Sequence, residues 1–241
     1  DTALIHGTGI AVTGASSDFT FRIPNFPCVP PTCNEAVGFS FWYKSQDRLR
    51  ITIVRPNGTS HSVDTGTSSS QDSPTGNITI DNASTGFNPS NGDNEALVQV
   101  NDCGTSGSAP ASGVYTLRVT TIGTGSGQQY HFWMVQNFLG GAALGRGMSG
   151  FDNRYIVGSP GNAKSAITVG AFTTRLCWPS GATQTCFLQR ETVGDIARFS
   201  AGGPTRDGRL KPEITAPGIA VVSALSTNAT TASNRIVPDG V

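Results

Sequence analysis

Few side chains of this 241-residue sequence could do acid–base or metal chemistry, and they are dispersed. The three histidines are His6, His61 and His131. A zinc site needs cysteine or histidine ligands in closely spaced pairs, so we do not expect one. Acidic residues near predicted turns could bind a structural Ca²⁺ ion, although such residues are usually only solvated. They are Asp81, Asp93, Glu95 and Asp102. We expect that no cofactor is required.

The five cysteines could instead form disulfides. Cys28 and Cys33 bracket four residues, and Cys177 and Cys186 bracket eight, so each pair could close a small loop. Cys103 is left over and is expected to be a buried thiol, because no histidine near it in the sequence could activate it. Disulfides persist in oxidising compartments, so we predict a secreted, extracellular protein.

Four motifs in the last third of the chain indicate chemistry of another kind. They are Ile156-Val-Gly-Ser-Pro-Gly-Asn162, Ile167-Thr-Val-Gly-Ala171, Phe199-Ser-Ala-Gly-Gly-Pro204 and Asp207-Gly-Arg-Leu-Lys-Pro-Glu-Ile-Thr-Ala-Pro-Gly218. In this order they resemble the part of a subtilisin-like serine protease between the oxyanion-hole asparagine and the nucleophilic serine. The resemblance implies a peptidase with a serine–histidine–aspartate triad whose members lie outside this segment. The chain is therefore predicted to be an internal fragment with no catalytic residue of its own, inactive by itself.

Residues 157–161 resemble the substrate-pocket segment of that family. The resemblance implies that Gly158 lets the backbone approach the substrate side chain before the scissile bond, because a Cβ would fill that space. It implies that Ser159 lies at the pocket floor, that the Ser159–Pro160 peptide is cis, and that Gly161 completes the segment. Alone, this pentapeptide is more simply an ordinary Pro-Gly turn, but residues 163–171 directly after it favour the family interpretation. The later motifs are implied to be scaffolding, and 206–209 is predicted to be a charged surface turn.

His6 begins a motif, His-Gly-Thr-Gly, that looks like the catalytic His-Gly-Thr-His motif of the same family. Here Gly9 replaces the second histidine, and residues 12–18 lack the apolar periodicity of the helix that should carry the base. We therefore predict that His6 belongs to a first strand over residues 3–12 and is not catalytic.

Residues 1–147 are predicted to form a jelly-roll-like β-sandwich. Polar turns separate runs of alternating, β-branched or aromatic residues that we predict to be strands. These runs lie at 18–23, 37–43, 49–54, 77–80, 96–100, 114–119 and 130–135. Alternation buries one face of each strand, so two sheets must pack on each other. Six aromatic residues could stack on sugars, but core packing is favoured for most of them. These are Phe41, Trp42, Tyr43, Tyr130, Phe132 and Trp133.

A glycine-rich bridge at 140–147 marks the predicted domain boundary. Beyond it, residues 148–241 are predicted to be a partial α/β subtilisin-like domain, in which the apolar segments 166–171 and 219–224 form parallel strands covered on both faces. The chain as a whole is thus predicted to be mainly β. Some larger subtilisin-like proteases resemble this layout by carrying an inserted β domain, which implies that the sandwich gates or extends substrate binding.

Charge and hydropathy limit the partners. Lys plus Arg and Asp plus Glu both number 16, so the zero net charge indicates no nucleic-acid partner, and no apolar run is long enough to predict a membrane partner. The expected partners are a protein or peptide substrate of the full-length enzyme and the remaining parts of its catalytic domain. The alternative function is a non-catalytic extracellular binding or adhesion module with a protease remnant. Sequons matter only in a glycosylating host, and they begin at Asn57, Asn77, Asn82 and Asn228.

Overall fold

The chain divides into two compact units, Leu4–Asp152 and Asn153–Val241, the second of which also includes Asp1–Ala3. This computed structural model describes residues 5–25, 36–104, 108–138, 149–180, 183–186, 191–224, 226 and 228, without the side chains of 136–138. Every regular element in these residues is a strand, so the protein is mainly β. No helix in the described residues is long and apolar enough to cross a membrane. The predicted boundary between residues 147 and 148 lies outside the described residues.

The first unit contains eleven strands in its described part. They are β1 (His6–Ile10), β2 (Ser16–Ile23), β3 (Ala36–Lys44), β4 (Leu49–Val54), β5 (Ser60–Asp64), β6 (Thr67–Gln71), β7 (Asn77–Phe87), β8 (Asp93–Asn101), β9 (Gly113–Thr121), β10 (Gln129–Phe138) and β11 (Phe151–Asp152). They form a seven-stranded sheet in the order β11-β1-β10-β3-β8-β7-β6 and a four-stranded sheet in the order β2-β9-β4-β5. All pairings are antiparallel.

The inward-facing side chains of both sheets form one hydrophobic core, so we call this unit the sandwich. On β3, Phe39, Phe41 and Tyr43 are buried, whereas Ser40 and Trp42 between them are partly exposed. A period of two places the three buried rings on one face of the sheet. Buried residues alternate in the same way along β2 and β9 of the other sheet, and β4 buries Leu49, Ile51 and Ile53.

Phe132 on β10 joins the two sheets through an aromatic cluster. Its ring centroid lies 4.6 Å from that of Phe41 on β3, 4.7 Å from that of Phe19 on β2 and 5.5 Å from that of Phe151 on β11. The side chain is fully buried. Gly7 on β1 leaves room for this ring, because a Cβ at Gly7 would come within 2.2 Å of Phe132 Cζ.

One strand of the sandwich lies in the polar stretch between the predicted runs 49–54 and 77–80, where the sequence predicts turns and no strand. The polar stretch 65–76 contains β6, whose residues Thr67-Ser-Ser-Ser-Gln71 are exposed or half-buried on both faces. This strand forms at the edge of the seven-stranded sheet because its backbone pairs with β7, with Ser69 opposite Ile80. Pairing with a neighbouring strand therefore outweighs the weak strand propensity of its own side chains.

The first and last strands of the sandwich pair with each other. In the antiparallel pair β1–β11, His6 lies opposite Asp152 and Gly7 lies opposite Phe151. The Ile5 amide also donates to the Asp152 carbonyl at 3.1 Å. The chain therefore enters and leaves this unit at adjacent positions.

The second unit contains four short strands in its described part, β12 (Val169–Phe172), β13 (Cys177–Ser180), β14 (Thr183–Cys186) and β15 (Ile214–Pro217). β12 and β15 pair in parallel, with Gly170 opposite Thr215. β13 and β14 form an antiparallel hairpin. Of the predicted α/β arrangement, the described residues thus show the parallel pairing and no helix.

The predicted strand over residues 219–224 is wrong. The strand β15 ends at Pro217, opposite Phe172 of β12. Directly after it, the Gly218 amide donates to the Phe172 carbonyl at 2.9 Å. Val221 and Val222 are exposed. An apolar run becomes a strand only where a neighbouring backbone completes its hydrogen bonds, and the described residues offer none to this run.

Candidate functional site

The predicted pocket segment, residues 157–161, is an exposed turn that precedes β12. The Asn162 amide donates to the Gly158 carbonyl at 3.1 Å, and the Ala163 amide donates to the Pro160 carbonyl at 3.0 Å. Gly158, Ser159 and Pro160 are exposed, whereas Val157 before them is buried. The Ser159–Pro160 peptide is cis, which confirms the prediction for that bond.

Gly158 faces open space. No described atom lies within 4 Å of the position that a Cβ on Gly158 would take, and its φ lies outside the left-handed region. Neither packing nor backbone conformation within the described chain therefore requires glycine there. At Gly161, by contrast, a Cβ would lie 3.2 Å from the Gly158 carbonyl oxygen and 3.3 Å from Val157 Cγ1. Gly161 is thus a packing residue of the turn, and Gly158 is not.

Hydrogen bonds hold this turn within its unit on both sides. The Thr168 hydroxyl donates to the Gly161 carbonyl at 2.5 Å. The Ile156 amide donates to the carbonyl of Gly202 at 2.9 Å, and a Cβ on Gly202 would come within 2.7 Å of the Asn153 carbonyl oxygen. The motif over residues 199–204, which the resemblance implies to be scaffolding, therefore packs against the chain that leads into the turn.

The residues after that motif also contact the segment that follows the turn. The sequence predicts a charged surface turn over 206–209, and the turn is present, because the Gly208 amide donates to the Thr205 carbonyl at 2.8 Å. The sequence-based interpretation missed that Arg209, Lys211 and Glu213 reach back to residues 162–168. A usable signal was the alternation of charged residues at positions 207, 209, 211 and 213.

His6 lies on β1 in an Asp–His–His network whose aspartate is partly exposed. Its Nδ1 is 2.6 Å from Asp152 Oδ1, and its Nε2 is 3.0 Å from His131 Nδ1. Both imidazoles are buried, and the Trp133 ring centroid lies 5.2 Å from that of His6 and 5.9 Å from that of His131.

The geometry of this network differs from that of the aspartate–histidine pair of a triad. In a triad the second imidazole nitrogen faces the nucleophile, whereas Nε2 of His6 is taken by another imidazole in a buried position. The prediction that His6 belongs to a first strand is confirmed. His131 and Asp152 lie 125 and 146 residues from His6 in the sequence, so no local pattern indicated them.

The acidic residues considered for Ca²⁺ have protein partners or lie apart. Asp93 accepts from Lys44 Nζ at 3.1 Å, and Asp81 accepts from the Ser84 amide at 3.0 Å. Glu95 is exposed opposite Trp42. In the part of the chain that the structure describes, no group of three or more histidine, cysteine, aspartate or glutamate residues is placed to hold a metal ion. A Ca²⁺ ion at these residues, Asp102 included, stays a prediction.

The disulfide between Cys177 and Cys186 is present and closes the β13–β14 hairpin. Cys103 is exposed and disulfide-bonded, so the prediction of a buried free thiol is wrong. Cys28 and Cys33 lie outside the described residues.

The aromatic candidates divide as expected, with most in the core. Phe41, Tyr43, Tyr130 and Phe132 are buried, and Trp42 and Trp133 are partly exposed.

Two of the four sequons are buried in the sandwich. Asn82 is fully buried, its amide donates to the carbonyls of Leu49 and Val63 at 2.9 and 3.1 Å, and its Oδ1 accepts from the Tyr43 hydroxyl at 2.6 Å. Asn77 is also buried, whereas Asn57 is exposed in the turn between β4 and β5. A glycan on Asn77 or Asn82 would therefore be incompatible with this core.

Comparison with known proteins places the chain in a family. The model of the Subtilase family (Peptidase_S8) matches residues 47–237, which is most of the chain. The chain therefore belongs to the subtilase family, a class of serine proteases.

Individual relatives match shorter stretches. The uncharacterized protein aq_aa18 of Aquifex aeolicus is 43% identical over 72 residues, which are 30% of this chain and 29% of that protein. Pyrolysin of Pyrococcus furiosus is 38% identical over 79 residues, which are 29% of this chain and 6% of pyrolysin. The chain thus spans less than a third of either relative.

A solved structure matches nearly the whole chain. The CspB protease of Clostridium perfringens superposes with a TM-score of 0.65 at 14% identity, covering 97% of this chain and 43% of CspB. At this identity the likeness shows the fold alone. The chain again spans less than half of the protein that it resembles.

Proposed function

We propose that this chain is an internal part of a secreted subtilisin-like serine endopeptidase. In this proposal a jelly-roll-like sandwich is inserted into the catalytic domain and is followed by a pocket-lining part of its α/β fold. The observation that carries the proposal is the exposed 157–161 turn, within the stretch that belongs to the subtilase family. Neither packing nor backbone conformation within its unit requires glycine at position 158. The absence of a side chain there would leave space for a substrate side chain. The proposed substrates are proteins or peptides, and no cofactor is required.

The proposal assigns the aspartate, histidine, oxyanion asparagine and nucleophilic serine to segments outside this chain. Apolar residues on or beside the parallel pair β12–β15 are exposed, which supports the proposal that further segments of the protein cover this pair. Val169 and Ile214 are 52% and 53% exposed, and Ile167 and Leu210 are 76% and 77% exposed. Parallel strands are normally covered on both faces, so we assign the cover to the remaining parts of the catalytic domain. The Cys177–Cys186 disulfide supports the proposed secretion.

A fluorophosphonate probe, which reacts with activated serines, tests this assignment. A longer protein that contains this chain is expected to label and to hydrolyse casein, and the 241-residue chain is expected to do neither. The reason is that removing triad members lowers the rate by several orders of magnitude. Heat-denatured longer protein is the control for non-specific labelling.

Labelling of the 241-residue chain would contradict the assignment of the nucleophile to another segment. A folded longer protein that neither labels nor hydrolyses casein would favour the alternative of an extracellular binding or adhesion module.

We also propose that the sandwich is an inserted module that gates or extends substrate binding. The pairing of β1 with β11 supports an insertion, because it brings the two ends of the module together. A long insertion between adjacent ends is tolerated, since the entropy cost of loop closure grows only with the logarithm of loop length.

Excision of residues 5–152 from the longer protein tests the gating role. Replacement by a short Gly-Ser linker is expected to lower kcat/KM for a long peptide by about tenfold, because remote contacts stabilise the transition state, and to leave a tetrapeptide substrate within about threefold. The control is the same linker added after residue 152 with the sandwich retained. Equal losses for long and short peptides would contradict a role in substrate binding.

A further inference from the structure

Three charged residues before β15 bind the backbone of the segment that follows the 157–161 turn. Arg209 Nη2 donates to the Asn162 carbonyl at 2.9 Å. Lys211 Nζ donates to the Ala166 carbonyl. Glu213 Oε2 accepts from the Thr168 amide at 2.8 Å, and the Glu213 amide donates to the Thr168 carbonyl at 3.1 Å. We call Arg209, Lys211 and Glu213 the charged clamp.

Lys211 is only 3% exposed, so its ammonium group depends on protein partners in place of water. A buried ammonium group is costly unless it is paired and hydrogen-bonded. Lys211 Nζ satisfies both conditions, because it lies 2.5 Å from Glu213 Oε1 and also donates to the Ala166 carbonyl. An apolar side chain of similar size would fill the space without this cost. The lysine therefore provides a directed bond to the 162–168 backbone that an apolar residue could not make.

Glu213 connects the lysine to the start of β12. Its two carboxylate oxygens bind different groups, Oε1 the Lys211 ammonium and Oε2 the Thr168 amide. Hydrogen bonds from Lys211 and Thr168 hold the pKa of the Glu213 carboxyl below its ordinary value, so the carboxylate stays charged at neutral pH. Thr168 in turn donates its hydroxyl to the Gly161 carbonyl at the end of the turn. The contacts thus run without a break from Lys211 to Gly161.

Arg209 is itself held in place. Its Nε lies 2.9 Å from Asp207 Oδ2 and 3.1 Å from Asp207 Oδ1, and the Thr205 hydroxyl donates to Oδ1 at 2.5 Å. Hydrogen bonds from Arg209 and Thr205 lower the pKa of Asp207 to about 2. The carboxylate therefore orients the guanidinium throughout the neutral and mildly acidic range.

We propose that Arg209, Lys211 and Glu213 are positioning residues that hold the 157–161 turn by its C-terminal side and so set the shape of the substrate pocket. The pocket role rests on the proposed function, whereas the holding of the turn does not. Residues 162–168 are joined directly to the turn, so a shift of the carbonyls of Asn162 or Ala166 moves Gly158 and Ser159 with them. The clamp residues contact backbone atoms of the segment and would act on substrate only through it.

Hydrogen exchange in the 241-residue chain tests the clamp without any activity measurement. Arg209→Met is expected to speed amide exchange within 158–168 by about tenfold or more and to leave exchange in the sandwich strands unchanged. The reason is that local opening of the unchanged chain must break the hydrogen bond from Arg209 to the Asn162 carbonyl, which the variant lacks. Arg198→Met is the matched control, because Arg198 is exposed in the same unit. Glu213→Gln, which retains an oxygen acceptor for the Thr168 amide, is expected to give a smaller increase. Unchanged exchange in 158–168 in both clamp variants would overturn the proposal.

Kinetics of the longer protein test the pocket role. Arg209→Met is expected to raise KM by about tenfold for peptides with a large side chain before the scissile bond, with kcat within about twofold, because a misplaced pocket weakens binding and does not alter the reacting groups. Equal KM values for Arg209→Met and the Arg198→Met control would overturn the pocket role even if exchange increases. An unmodified longer protein without peptidase activity would instead count against the proposed function, and the exchange result alone would then decide whether the clamp holds the turn.

Discussion

Replacement of Phe132 by alanine is expected to lower the free energy of unfolding of the sandwich by about 3–5 kcal/mol, as for other buried phenylalanines. The ring is fully buried and lies within 4.6 to 5.5 Å, between centroids, of Phe41, Phe19 and Phe151. Its removal leaves a cavity between the two sheets, and the strands around it cannot collapse without breaking their pairing. Native-state hydrogen exchange of the slowest amides on β3 and β8 measures the loss.

Val135→Ala on the same strand is the control, because Val135 is 53% exposed. It is expected to change the free energy of unfolding by less than about 0.5 kcal/mol. Phe132→Leu, which refills part of the cavity, is expected to fall between the two. If Phe132→Ala were no more destabilising than Val135→Ala, Phe132 would not be the link between the sheets.

Replacement of Gly158 by alanine is expected to separate stability from activity. The added methyl group meets no described atom within 4 Å and the φ is permitted, so the free energy of unfolding should stay constant or rise by about 0.4–1 kcal/mol. If Gly158 borders the pocket, the same methyl group occupies space needed by a substrate side chain. In the longer protein, kcat/KM for peptides with a large residue before the scissile bond should then fall by about 10–200-fold.

Ser165→Ala is the control for this prediction, because Ser165 is exposed in the same segment and the change also concerns a single heavy atom. Peptides with a small residue before the scissile bond provide a second control and should be affected less. A Gly158→Ala protein with unchanged kcat/KM on all peptides would show that Gly158 does not border the pocket.

The strands of the sandwich were predictable where burial alternates within the strand itself. The run predicted over 18–23 lies within β2, and the run over 37–43 lies within β3. The edge strand β6 was not predictable, because its serines carry no periodic signal and only pairing with β7 makes it a strand. The prediction of a strand over 219–224 was wrong for the opposite reason. The composition of this run is typical of a strand, but the run has no partner strand in the described residues.

The candidate site shows the same division between local and distant information. The turn at 157–161 was predictable from residues adjacent in sequence, and its cis peptide was implied by the family resemblance of the same residues. The partners of His6 lie more than a hundred residues away, so only the folded chain could show that its second nitrogen is taken. The charged clamp lies between these cases, because its residues alternate visibly but their targets are backbone atoms 45 and 47 residues earlier, which no side-chain pattern marks.

The composition of β6 has a consequence for how the protein behaves at high concentration. An edge strand offers unpaired backbone groups to any other chain, and an apolar edge would invite the stacking of copies into aggregates. On β6 the Ser69 carbonyl already accepts from His61 Nε2 at 3.3 Å and the Gln71 carbonyl accepts from Arg55 Nη2 at 3.1 Å. The side chains of residues 67–71 are polar, so an incoming chain would find few free backbone groups and no apolar surface to bury. The least distinctive stretch of the sandwich thus helps to keep neighbouring molecules apart.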